Sequence, residues 1–175
     1  SYRFDDFDGL IQQATQPIFS MGSRQIPCPR LSASFGINYN APAVNQSLSS
    51  EIPSLLQPFV HACEELYPDY LFNQALVTLY RGASDYIGFH SDAGDPLVVA
   101  SFTIYDKPEA ICRIFKLKTK PHVNPKRSVD LELTPTKMII MEGVQFQRNV
   151  VHALEKGKDN SKRINVTIRA FKTKP

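Results

Sequence analysis

His90, Ser91 and Asp92 set an imidazole and a carboxylate two residues apart. On an extended backbone, residues two apart project to the same face, so both groups can address one ion. A third ligand is available in His152, 62 residues further on, within the β-prone run Val150-Val151-His152-Ala153-Leu154. Two imidazoles and one carboxylate make a facial triad. Such a triad leaves open positions on an octahedral ion for a chelating cosubstrate and O2, the arrangement non-haem Fe(II) chemistry needs. Each part also has a plainer reading. The His90-Asp92 pair fits a turn histidine beside a solvated carboxylate, and His152 fits a packed side chain among Val, Ala and Leu. His61 and His122 lack partners at suitable spacing and read as surface residues.

A second group of residues bears on the same chemistry. In Arg163-Ile164-Asn165-Val166-Thr167-Ile168-Arg169, strict alternation puts Arg163, Asn165, Thr167 and Arg169 on one strand face. Ile164, Val166 and Ile168 take the other face and form a core layer. The two guanidinium groups start ~20 Å apart at the Cα level, at ~3.3 Å per residue. Their planar forks suit a small dicarboxylate. The competing reading is an edge strand whose polar face is solvated.

These residues need elements to hold them. Residues 8–15 read as a short helix, and residues 24–48, rich in Pro, Ser, Asn and Gly, as loops and short irregular strands. Ile52, Leu55, Leu56, Phe59, Val60, Cys63 and Leu66 fall on one helical face, with Ser50 as an N-cap. Pro58 inside that pattern predicts a kink or a late start. From residue 71 the period becomes that of strands: 71–80, 86–90, 97–105, 111–118, 129–133, 137–141, 150–154 and 163–171. One or two helices followed by about eight short strands predict an α+β, mostly β chain, a sandwich or barrel with helices on one side.

Composition agrees. The 175 residues are 42% hydrophobic and 21% charged, ordinary for a globular protein and enough for one domain. No apolar run approaches the ~20 residues of a membrane helix, and the N-terminus does not read as a signal peptide. The net charge of +3 permits a polyanionic partner without requiring one. Three widely spaced cysteines, Cys28, Cys63 and Cys112, support neither a disulfide framework nor a zinc knuckle, which points to a reducing compartment. The expected location is therefore the cytoplasm, with the nucleus also open.

The order of these features resembles the AlkB family of Fe(II)- and 2-oxoglutarate-dependent dioxygenases over most of the chain. Phe72–Tyr80 (FNQALVTLY) and Ile87–Asp92 (IGFHSD) look like the family's FN-x-x-L-x-N-x-Y and I-G-x-H-x-D segments. Met141-Glu142-Gly143-Val144-Gln145 looks like its M-x-G-x-x-Q turn, with one residue fewer between Gly and Gln. Pro29–Gly36 (PRLSASFG) resembles the P-R-x-x-x-x-(Y/F)-G stretch of its nucleotide-recognition lid. A compact module starting at Ser1 rather than Met is also similar to those embedded in replicase polyproteins of plant RNA viruses, which would place it in host cytoplasm and favour RNA.

The resemblance implies a double-stranded β-helix, or jelly roll, with N-terminal helices packed on one sheet. It implies a single domain over 1–175, with helices and lid in 1–70 and the catalytic core in 71–175. His90, Asp92 and His152 would bind Fe(II). Arg163, supported by Tyr80, would hold the distal carboxylate of 2-oxoglutarate, and Arg169, with Asn165 nearby, would approach the carboxylate nearer the metal. The implied activity is oxidative demethylation of methylated bases in single-stranded RNA or DNA, using O2 and releasing succinate, CO2 and formaldehyde. Arg30, Phe35, Tyr39, Tyr86 and Asp95 are the expected substrate contacts, aromatic rings gripping an unstacked base. Neither a membrane nor an obligate protein partner is expected. The sequence departs from the family at Thr78, where an Asn is usual, and at Gly94, where an acidic residue is usual and Asp95 is the nearest substitute. Two other readings keep the fold: a dioxygenase of a protein or small molecule, and a silent nucleic-acid-binding module.

Overall fold

The computed structural model describes residues 2–21, 23–37, 48–49 and 51–174. A 3-10 turn, Phe4–Phe7, runs into helix α1 (Asp8–Ile11). Strands β1 (Ile18–Met21) and β2 (Arg24–Pro27) form a hairpin, followed by β3 (Leu31–Gly36) and β4 (Leu48–Ser49). A second 3-10 turn, Ser54–Leu56, leads into α2 (Gln57–Leu66). Then come β5 (Tyr70–Tyr80), β6 (Ile87–His90), β7 (Val98–Tyr105), β8 (Arg113–Thr119), β9 (Ser128–Leu133) and β10 (Ile139–Glu142). Helix α3 (Val144–Asn149), β11 (Val150–Leu154) and β12 (Arg163–Thr173) complete the described chain.

The helical stripe starts late. Pro58 lies in the first turn of α2, where its missing N–H breaks no helical bond, so 52–56 enter as an extended stretch and a 3-10 turn. Ser50, the expected N-cap, lies outside the described residues. The first helix also differs from expectation, since 12–15 do not continue it. Helix α3 was unexpected, because six residues with one buried side chain, Gln147, carry no apolar period.

Beside the β1–β2 hairpin there are two larger sheets. One has the order β10-β7-β12-β5-β3-β4, the other β6-β11-β8-β9. This is the jelly-roll expectation. β12 lies between β7 and β5, so the edge-strand reading of 163–169 does not hold. In that central position, alternation decides everything. Ile164 pairs with Leu79 and Ile104, Val166 with Val77 and Phe102, and Ile168 with Ala75 and Ala100. This face meets Phe7, Leu10, Leu56, Phe59, Val60 and Cys63 of the N-terminal segments, forming the main core. Each large side chain buried there contributes roughly 1.5–3 kcal/mol.

The opposite face is polar in register. Arg163 pairs with Tyr80 and Tyr105, and Asn165 with Thr78 and Thr103. Thr167 pairs with Leu76 and Ser101, while Ser32 of β3 sits opposite Thr78. Those groups look toward the second sheet. Gly36 ends β3 at φ +86, with the Asn73 carbonyl where a Cβ would stand, only 2.1 Å away. Only glycine allows this close approach.

Candidate metal and 2-oxo acid site

The two sheets enclose a cavity of about 140 Å³ lined by residues of both, among them His90, Asp92, His152, Arg163 and Arg169. His90 ends β6, and His152 sits directly opposite it on β11. The ladder between β6 and β11 shifts register, since His152 faces His90 while Leu154 faces Ile87. One extra residue on β6 therefore turns both Ile87 and His90 inward. Asp92 follows on the loop after β6. One ligand atom from each of His90, Asp92 and His152 can be chosen so that all lie within 4.8 Å of one another.

The fit to a metal can be judged from the donors themselves. His90 Nδ1 is hydrogen-bonded to the Gly88 carbonyl oxygen at 2.9 Å, which leaves Nε2 for a ligand. His152 Nε2 stands 3.9 Å from Asp92 Oδ1, while its Nδ1 is buried with no hydrogen-bond partner. A buried ring with unspent binding capacity beside a buried carboxylate fits a divalent cation. Electrostatics favours the ligating forms. Burial alone would raise the Asp92 carboxyl, but Arg169 first, then His152 and His90, hold it at about 2. Burial, reinforced by His90, pushes the His152 imidazole down to about 3, and burial lowers His90 too. At neutral pH the set is therefore two neutral imidazoles and one carboxylate, with no proton to displace.

Two arginines and two amides complete the surroundings. Arg169 Nη2 lies 3.2 Å from Asp92 Oδ1, and its Nη1 donates to Gln74 Oε1 at 2.8 Å. Gln74 in turn donates to Ser34 Oγ at 3.0 Å. Arg163, 2% exposed, donates to Thr103 Oγ1 at 2.9 Å and to Asn165 Oδ1, and its Cζ stands 5.2 Å from the centre of the Tyr80 ring. No carboxylate among the described residues pairs with Arg163. Such a buried guanidinium suits an anionic ligand.

The sequence expectations separate here. His90, Asp92, His152, Tyr80, Arg163, Asn165, Arg169 and Arg30 all line the one cavity. Asn165, expected beside Arg169, is bound instead to Arg163 and to Ser101 Oγ at 2.8 Å, because it is one pleat repeat from Arg163 and two from Arg169. Thr78, in place of Asn, turns to Ser32 Oγ at 3.3 Å. Phe35 is misassigned as a base contact. Alternation along β3 aims Ser32 and Ser34 at the pocket face and buries Phe35 in the core on the other. Asp95 is exposed and tied to Arg148 at 2.8 Å, outside the cavity lining. Tyr86 is also outside that lining, exposed at the surface with Lys156 Nζ 5.5 Å from its ring. Tyr39 lies outside the described residues.

Sequence reasoning also missed residues. Gln147, not Gln145, is the buried glutamine of the 141–147 segment, and its Oε1 accepts the Asp92 N–H at 3.1 Å. Only the turn into α3 selects between the two. Phe19 and Ile26 face each other across the β1–β2 hairpin, each 44% exposed, a paired apolar patch that no periodicity marked.

The family model of the 2OG-Fe(II) oxygenase superfamily matches residues 13–169. The chain belongs to that superfamily, whose members use Fe(II), 2-oxoglutarate and O2. No curated protein matches the chain in sequence. No helix among the described residues is long and apolar enough to cross a membrane.

Proposed function

We propose that this oxygenase is an AlkB-like demethylase of methylated bases in single-stranded RNA or DNA, a single domain with helices and lid in 1–70 and the catalytic core in 71–175. The observation that carries the reading is Arg30. It follows the β1–β2 hairpin, stands second in the PRLSASFG stretch, and lines the same cavity as the three ligand residues. A cation at that place can meet a phosphate while the base it carries points inward. The hairpin presents Phe19 and Ile26 to solvent, surfaces suited to an unstacked base.

In this reading His90, Asp92 and His152 hold Fe(II), which, once bound, supplies the oxidising chemistry with O2. Arg163 anchors the distal carboxylate of 2-oxoglutarate, with Tyr80 beside it. Arg169 keeps Asp92 ionised and aimed, and Gln147 fixes the loop that carries it. The pocket walls exclude water and hold the methyl group at the reacting end. The balance is one 2-oxoglutarate, one O2 and one N-methyl group consumed, and one succinate, one CO2, one formaldehyde and one N–H formed.

The test is mass spectrometry of RNA and DNA oligonucleotides carrying N1-methyladenine, N3-methylcytosine or N6-methyladenine, with Fe(II) and 2-oxoglutarate. Loss of a methyl group with matching formaldehyde is expected, and none in His90→Ala or Asp92→Ala. Succinate formation with every oligonucleotide untouched would overturn the nucleic-acid reading and leave a protein or small-molecule substrate.

A further inference from the structure

Arg113 opens β8 and is 3% exposed, yet it is not in the cavity wall. Its Nη2 donates to the Asp85 carbonyl at 2.6 Å and to the Glu155 carbonyl, which also accepts Nε at 3.1 Å. Its Nη1 is buried with no hydrogen-bond partner. The Tyr105 hydroxyl accepts the Arg113 N–H at 2.7 Å and donates to the Leu133 carbonyl at 3.1 Å, fixing the start of the strand. No carboxylate among the described residues pairs with this guanidinium. The Asp85 carboxylate is taken by Arg81 at 2.8 and 3.0 Å. Asp159 is held by Ile111 N–H and Ser161.

A buried cation held only by carbonyls is expensive. Its position gives it a use. Arg113 Cζ lies 5.7 Å from the centre of the Tyr80 ring, and Arg163 Cζ lies 5.2 Å from the same centre. Tyr80 and Arg163 line the cavity, whereas Arg113 stands behind them. Two desolvated guanidinium groups thus share one aromatic ring, and no carboxylate among the described residues touches either. Burial first, and the charge of Arg113 in addition, disfavour the cationic form of Arg163, a cost no contacting carboxylate among the described residues offsets. That cost is relieved when an anion arrives in front of Arg163.

We propose that Arg113 is a positioning residue for the cosubstrate: it holds the Tyr80 ring from behind and adds a second positive charge that selects a 2-oxo acid with a charged tail over one without. This rests on the reading of Arg163 as the anchor for the distal carboxylate of 2-oxoglutarate. Uniform packing would serve both kinds of acid equally, whereas a charge behind Tyr80 favours only the dianion.

The experiment is calorimetry on the anaerobic Mn(II)-loaded protein, titrated with 2-oxoglutarate and with 2-oxopentanoate. The second acid keeps the 2-oxo carboxylate head and has no charge at the tail. In Arg113→Gln, affinity for 2-oxoglutarate should fall about tenfold while that for 2-oxopentanoate stays within twofold. Arg113→Met, which fills similar volume without charge, is read in the same way and serves if the Gln variant does not fold. Equal losses for both acids, or no loss for either, overturn the inference while leaving Arg163 in place. If the unsubstituted protein binds neither acid, the reading of the site falls and this one with it.

Discussion

Arg163 and Arg169 occupy one face of one strand, six residues apart, and both are almost fully buried. Their surroundings differ. Arg169 meets Asp92 and Gln74, so its charge is answered within the protein. Arg163 meets a hydroxyl, an amide oxygen and an aromatic face, none of them an anion. The first arginine is part of how the fold holds a metal ligand. The second is a buried cation that no carboxylate among the described residues answers. Identical side chains on one face therefore do different work, and the partner's charge decides which.

The comparison can be broken at several points. Arg169→Met should have the largest effect on the fold, leaving Asp92 buried without its counter-charge at a cost of about 3–5 kcal/mol, measured by urea unfolding of the metal-free protein. Arg163→Met should do the reverse. Unfolding stability should hold or rise, while 2-oxoglutarate affinity falls about 100-fold in calorimetry. Comparable destabilisation by the two substitutions would erase the distinction.

Acid should probe the metal end next. His152 is lowered from 6.5 to about 3 in the folded protein. Below pH 6.5 the unfolded chain takes up a proton that the native state refuses, so stability falls as pH falls. From pH 7 to pH 5 this one group removes about 2 kcal/mol, with His90 acting in the same direction. Thermal unfolding of the metal-free protein across that range checks it, and a flat profile would contradict the buried neutral imidazoles. The smallest effect is expected from Gln147→Ala, which frees the Asp92 N–H and should weaken Mn(II) binding about tenfold with little change in 2-oxoglutarate affinity at saturating metal.

Much of this was legible beforehand for one reason: strand alternation is strictly local. It was enough to put Arg163, Asn165, Thr167 and Arg169 on one face and Ile164, Val166 and Ile168 on the other. The same rule, applied to β3, would have sent Phe35 into the core with Ala33, but the motif resemblance drew it toward the substrate. Gln147 was hidden because a six-residue helix has no apolar period. Asp95 lies outside the cavity lining for a different cause. Gly94 and Asp95 both adopt positive φ, and the turn they make carries the carboxylate out to Arg148.

Residue order alone determined the ligand types, the two-faced character of β12 and the mostly β architecture, since each depends on spacing along a few neighbouring residues. Tertiary structure alone decided which charges find partners. Whether a buried guanidinium meets a carboxylate, as Arg169 does, or an aromatic ring shared with a second cation, as Arg163 does, depends on strands brought together from distant parts of the chain. Electrostatic energy is set by those through-space distances and by the loss of water around them, and neither quantity is written in any local run of residues.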